Sequence, residues 1–160
     1  MPGQVFEGSM SASDMRIAIV TTRWNEFITD RLTSAAKDTL VRHGANADAI
    51  DVAVAPGAYE IPFIVRTLAK TGRYDGVVAL GCVIRGATPH FDYVAGEAAT
   101  GVSAAMRETG IPASFGVLTV DTIEQAIERT GTKAGNKGAE AALALIETIA
   151  LARAIKETRS

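Results

Sequence analysis

Residues 81–93, GCVIRGATPHFDY, hold the densest set of chemically capable groups in the chain. An apolar run at residues 76–80 leads into them, and a helical pattern follows. They therefore mark a buried strand that passes through a small-residue turn into a helix N-terminus. Unpaired backbone N–H groups and the positive end of the helix dipole converge at such a junction, which suits it to an anion. Gly86 and Ala87 let a ligand approach the backbone, Thr88 adds a hydroxyl, and Pro89 suits the first helical turn because it has no N–H to waste. His90 places a group that titrates near neutral pH beside the bound anion. The pattern predicts proton-transfer chemistry on a small phosphorylated molecule.

The elements that must position this segment alternate along the chain. Buried, β-branched runs predict strands at 16–22, 50–55, 76–84 and 113–120. Helical periodicity predicts helices at 28–43, 60–71, 93–108, 122–129 and 137–156, with Gly44 and Gly72 ending the first two. Strands that are apolar on both faces and alternate with helices imply a parallel sheet covered on both sides. Right-handed crossovers make that a three-layer α/β/α sandwich with a four-stranded sheet. The expected organisation is one domain over 15–160 behind a flexible arm, 1–14, that has a β-capable piece at Val5 and Phe6.

Ligands in such sheets bind beyond the carboxyl ends of the strands. That rule selects residues 22–27, 56–60, 82–90 and 120–122. Trp24, the only tryptophan, is either a packing residue or a flat platform for an aromatic ring. Glu60, in the turn PGAYEIP, either complements a helix dipole or accepts hydrogen bonds from ligand hydroxyls. His43 precedes Gly44 in a last helical turn and reads as structural, whereas His90 lies at the mouth of the anion site. Arg129 and Lys137 read alone as solvated surface cations, and Cys82 as a small buried residue. The sequence has no CxxC, GxGxxG or Walker A spacing and no metal-ligand cluster.

Bulk properties exclude several function classes. With 160 residues, 48% hydrophobic and 21% charged, the chain has an ordinary globular composition. A formal charge of −2 with scattered basic residues leaves no footprint for nucleic acid. The single cysteine fits a reducing cytoplasm. Neither a signal peptide nor a membrane-length apolar run is present, so the expected location is cytoplasmic, with no membrane partner.

Five stretches together resemble the 6,7-dimethyl-8-ribityllumazine synthase family of riboflavin biosynthesis. They are 24–29 (WNEFIT), 56–62 (PGAYEIP), 81–93, 115–119 (FGVLT), and 124–131 (EQAIERTG) continuing to Lys137-Gly138. The resemblance spans about residues 15 to 155, in order and at the family spacing. It implies a flavodoxin-like sandwich that condenses 5-amino-6-(D-ribitylamino)uracil with 3,4-dihydroxy-2-butanone 4-phosphate, releasing phosphate and water, without cofactor or metal. Carried over by motif, Trp24 stacks on the pyrimidine, although many relatives have Phe there. Ala58, Tyr59 and Glu60 hold the ribityl chain and ring edge, while Cys82, Val83 and Ile84 line the uracil pocket. Gly86, Ala87 and Thr88 cradle the phosphate with Arg129 as its charged partner, His90 transfers protons, and Lys137 contributes near the pyrimidine. Phe115 comes from an adjacent subunit, because the family's site lies between neighbours in a pentamer. The turn at 131–136 resembles that of members built as shells of twelve pentamers. Riboflavin synthase is the further partner that the resemblance implies.

The residues suit this chemistry. Aligning two substrates can lower a barrier by roughly 7–11 kcal/mol. Acid–base help from His90 would add a factor on the order of 10²–10⁴. Two other readings compete. A scaffold of the same fold that merely holds lumazine or flavin has no need of His90 and Arg129. An unrelated flavodoxin-like phosphate-binding regulator does not account for the 56–62 and 115–119 matches.

Overall fold

Four apolar runs form one parallel sheet in the computed structural model, which describes residues 2–132 and 135–158. These are β1 (Ile17–Thr22), β2 (Asp51–Ala55), β3 (Gly76–Ile84) and β4 (Ala113–Val120), in the spatial order β2-β1-β3-β4. Every pairing among them is parallel. The central strands β1 and β3 are buried almost throughout, while β2 and β4, at the edges, are partly exposed. A strand covered on both faces must be apolar at successive positions, as these two central strands are.

Among the described residues five α-helices cover the sheet: α1 (Glu26–Arg42), α2 (Ile61–Lys70), α3 (His90–Thr109), α4 (Ile123–Glu128) and α5 (Lys137–Glu157). The two-residue period of β3 divides the core between two layers. Val78, Leu80 and Cys82 join Leu32 and Leu40 of α1 and Leu145 and Ile146 of α5. Val77, Ala79 and Val83 join Ile61 and Val65 of α2 and Val94 and Val102 of α3. The expected three-layer α/β/α sandwich is therefore present.

The structure differs from the expected boundaries in four places that bear on function. α1 starts at Glu26, because Asn25 takes the left-handed conformation (φ 62°) and turns the chain directly from β1 into the helix. α3 starts at His90 rather than at 93, with Pro89 as its N-cap, so His90 belongs to the first helical turn. Residues Ala58–Glu60 form a single 3₁₀ turn ahead of α2. A short antiparallel ribbon, β5 (Thr130–Thr132) with β6 (Gly135–Asn136), lies between α4 and α5. The middle of the 131–136 turn falls outside the described residues.

The arm forms no strand over the described residues 2–14, and Val5 is exposed. Its later part is packed: Ala12 is fully buried and its N–H donates to the His43 carbonyl at 2.7 Å. His43 Nδ1 lies 2.8 Å from the Thr39 carbonyl of its own helix, as a structural residue there would.

Candidate active site

The sheet order reverses direction between β1 and β3, so the crevice beyond their carboxyl ends is where a ligand of this architecture belongs. A cavity of about 410 Å³ lies there. Trp24 and Asn25 after β1, residues 57–60 after β2, Cys82, Val83 and Ile84 at the end of β3, and His90 and Val94 of α3 line it. Eight of the residues predicted from the sequence thus meet in one place.

Backbone hydrogen bonds fix the Trp24 wall. The N–H groups of Arg23 and Trp24 donate to the carbonyls of Ala55 (2.8 Å) and Pro56 (2.9 Å), which extends the β1–β2 ladder past the strand ends. Asn25 Nδ2 donates to the Cys82 carbonyl at 2.9 Å, tying the same turn to β3. Thr29 Oγ1 donates to the Thr22 carbonyl at 2.8 Å. The indole then lies on Gly57, where a Cβ would stand 2.2 Å from Trp24 Cε3. Only glycine leaves room for the ring at this approach, and the ring keeps its other side open, at 57% exposure. Composition and spacing singled out neither Asn25 nor Gly57. An Asn directly before a helix and a Gly in a tight turn are signals, but the turn itself was sufficient explanation for both.

Glu60 Oε1 accepts the Gly57 N–H at 3.0 Å, so this carboxylate closes the turn that carries Trp24's support. It also lines the cavity. Cys82 is buried, and burial pushes its thiol up to about 11, which keeps it protonated at neutral pH. Residues 86–88 are exposed between Ile84 and His90, at the open N-terminus of the 20-residue α3. A Cβ at Gly86 would meet nothing within 4 Å, so the turn is open to solvent.

Phe115, Arg129 and Lys137 lie elsewhere. With Thr119 and Glu140 they line a second cavity of about 410 Å³ along the edge strand β4. Among the described residues none lines both cavities. Thr122 caps α4 by accepting the Gln125 N–H at 3.1 Å, and Arg129 ends that helix with its Nη1 donating to the Gln125 carbonyl at 3.0 Å. The β5–β6 ribbon returns the chain so that the Lys137 N–H donates to the Arg129 carbonyl at 2.9 Å. Gly138 then seats α5 against α1, because a Cβ there would fall 2.1 Å from the Leu32 carbonyl oxygen. Two half-buried cations and one aromatic ring are in this way presented at an open sheet edge.

Among the described residues no group of three or more His, Cys, Asp or Glu is placed to hold a metal ion. No helix among them is long and apolar enough to cross a membrane. Residues 14–153 match the family described as 6,7-dimethyl-8-ribityllumazine synthase. The match covers most of the chain, and the chain belongs to that family of enzymes.

Proposed function

We propose that this member of the lumazine synthase family condenses 5-amino-6-(D-ribitylamino)uracil with 3,4-dihydroxy-2-butanone 4-phosphate, giving 6,7-dimethyl-8-ribityllumazine, phosphate and two waters. The reading is carried by one observation: an exposed indole, a carboxylate, apolar strand-end residues and a histidine beside an anion-competent turn all border one cavity. A ring-bearing substrate and a phosphorylated one need these groups side by side.

The amine of the pyrimidine attacks the ketone, and loss of water gives an imine. Elimination then expels phosphate, and closure by the ribityl-bearing nitrogen with a second loss of water completes the ring. Trp24 supplies the stacking surface, and Val83 and Ile84 form the apolar wall of the uracil pocket beside Cys82. Ala58, Tyr59 and Glu60 bind the ring edge and ribityl hydroxyls. Gly86, Ala87 and Thr88 hold the phosphate through backbone N–H groups and a hydroxyl, both as substrate and as leaving group. His90, on the first turn of α3, moves protons between the reacting carbon centres and the departing phosphate. No cofactor or metal is required.

The separation of the two cavities supports a site shared between subunits. On this reading Phe115, Arg129 and Lys137 of one protomer complete the first cavity of its neighbour in a pentameric ring, and twelve such rings form a shell. Exposed Val54, Tyr59, Phe63 and Tyr93 give the contact surface apolar content. The protein works in the cytoplasm, and riboflavin synthase receives its product.

Purified protein given both substrates is expected to release phosphate with a rise of absorbance in the lumazine band. Phosphate release no faster than the uncatalysed background would refute the enzyme. Mixing His90→Ala protomers with Arg129→Ala protomers is expected to restore activity, since some interfaces then carry both intact halves. No restoration after verified subunit exchange would refute the shared site. Light scattering reads the assembly, and pentamers alone would overturn the shell.

A further inference from the structure

Arg85 stands at the entrance to the 86–89 turn and is held on several sides. Its N–H donates to the Val120 carbonyl at 2.8 Å, and its Nε donates to Asp121 Oδ1 at 2.9 Å. Its Nη1 lies 3.7 Å from Asp92 Oδ1, and its guanidinium carbon sits 4.2 Å from the centroid of the Phe91 ring. These anchors come from β4, from the turn after it, and from the first turn of α3. Gly86, Ala87 and Thr88, by contrast, are exposed and make no hydrogen bond to another described residue.

We propose that Arg85 is a positioning residue for the anion-binding turn. It fastens the turn between β3 and α3 and offsets the charge of Asp92 and Asp121, so that an anion meets backbone N–H groups rather than two carboxylates. The proposal rests on the reading of residues 86–88 as the phosphate cradle. Arg85 is suited to the task because a guanidinium can stack on a ring and bond carboxylates at once, which a lysine ammonium does not do with the same geometry. Its guanidinium is already engaged by two carboxylates and a ring, so the anion's direct ligands are others. Ion pairs this exposed contribute little to global stability, so the residue's effect is to be read in binding.

The test compares the full chain with Arg85→Ala, Arg85→Lys and the triple variant Arg85→Ala/Asp92→Asn/Asp121→Asn. In Arg85→Ala the KM for the phosphorylated ketone is expected to rise about tenfold, while the KM for the pyrimidine stays within about twofold and the melting temperature is kept. Arg85→Lys should fall between. The triple variant should recover part of the loss, because the uncompensated carboxylates are gone. An unchanged KM in Arg85→Ala overturns the proposal. So does a triple variant no better than Arg85→Ala, which would make the guanidinium a direct ligand. Titration with inorganic phosphate, followed by the amide resonances of 86–90, repeats the comparison without turnover. Equal phosphate affinity in wild type and Arg85→Ala overturns the positioning role. Absence of turnover with an Arg85-dependent phosphate affinity overturns only the enzymatic reading.

Discussion

The two ends of the four-stranded sheet treat their polar groups in opposite ways. At the amino end they satisfy one another. Asp75 accepts the Arg16 N–H at 2.7 Å and pairs with Arg153 at 3.0 Å, while Arg153 also reaches Asp14 at 3.1 Å. The Tyr74 hydroxyl donates to Asp51, and its ring is buried. The cavity beside Tyr74 and Asp75 is only about 160 Å³, and a polar one of about 420 Å³ opens beyond Asp14 and Arg153. At the carboxyl end side chains such as Asn25, Thr29 and Glu60 bond backbone groups of the turns, and the Trp24, Tyr59 and His90 side chains are left facing out. Side chains thus brace both ends, but at the carboxyl end they hold turns in place around a lining that stays exposed.

Substitutions at the two ends should therefore separate function from stability. The largest expected effect is that of His90→Ala, which should lower kcat on the order of 10²-fold and leave detectable turnover, because substrate alignment survives. A wild-type rate would remove His90 from proton transfer. Next is Gly57→Ala, whose methyl must displace the indole. The KM for the pyrimidine should rise about tenfold with little change for the phosphorylated substrate, and steady-state kinetics with each substrate varied in turn distinguishes the two.

The smallest effect belongs to the amino end. Tyr74→Phe should cost about 1 kcal/mol of stability and leave both KM values alone. Its pH dependence is more telling than its size. The hydrogen bond to Asp51, assisted by burial, raises the Tyr74 hydroxyl above its ordinary 10.0. Stabilisation from this group is fully present below the unfolded value and is lost as pH rises through the folded one. The wild-type melting temperature should consequently fall more steeply above pH 10.0 than that of Tyr74→Phe, as thermal unfolding across that range would show.

Much of this arrangement was legible in the sequence, and the remainder has identifiable causes. β3 and β4 fall on the residues predicted for them, because an unbroken apolar run bounded by turns admits few other boundaries. The start of α3 was less legible: the segment HFDY has no apolar period, and Pro89 terminates the turn as an N-cap instead of lying inside the helix. The β5–β6 ribbon is too short to carry a strand pattern, yet it is what brings Lys137 to Arg129. That the candidate residues line two separate cavities was the least legible. Motif order along a chain says which residues belong to a site, and says nothing of which edge of the sheet presents them. Likewise Gly57 reads as a turn residue until the indole lying on it is seen.

That indole has one more consequence. Trp24 is the chain's only tryptophan, and it lies in the first cavity with one face against Gly57 and the other toward solvent. The protein's intrinsic tryptophan emission therefore comes from a single known point. It should have the red-shifted maximum of a water-exposed indole and respond when an aromatic ring covers it. Site occupancy can be followed optically in the unlabelled protein, with no residue changed.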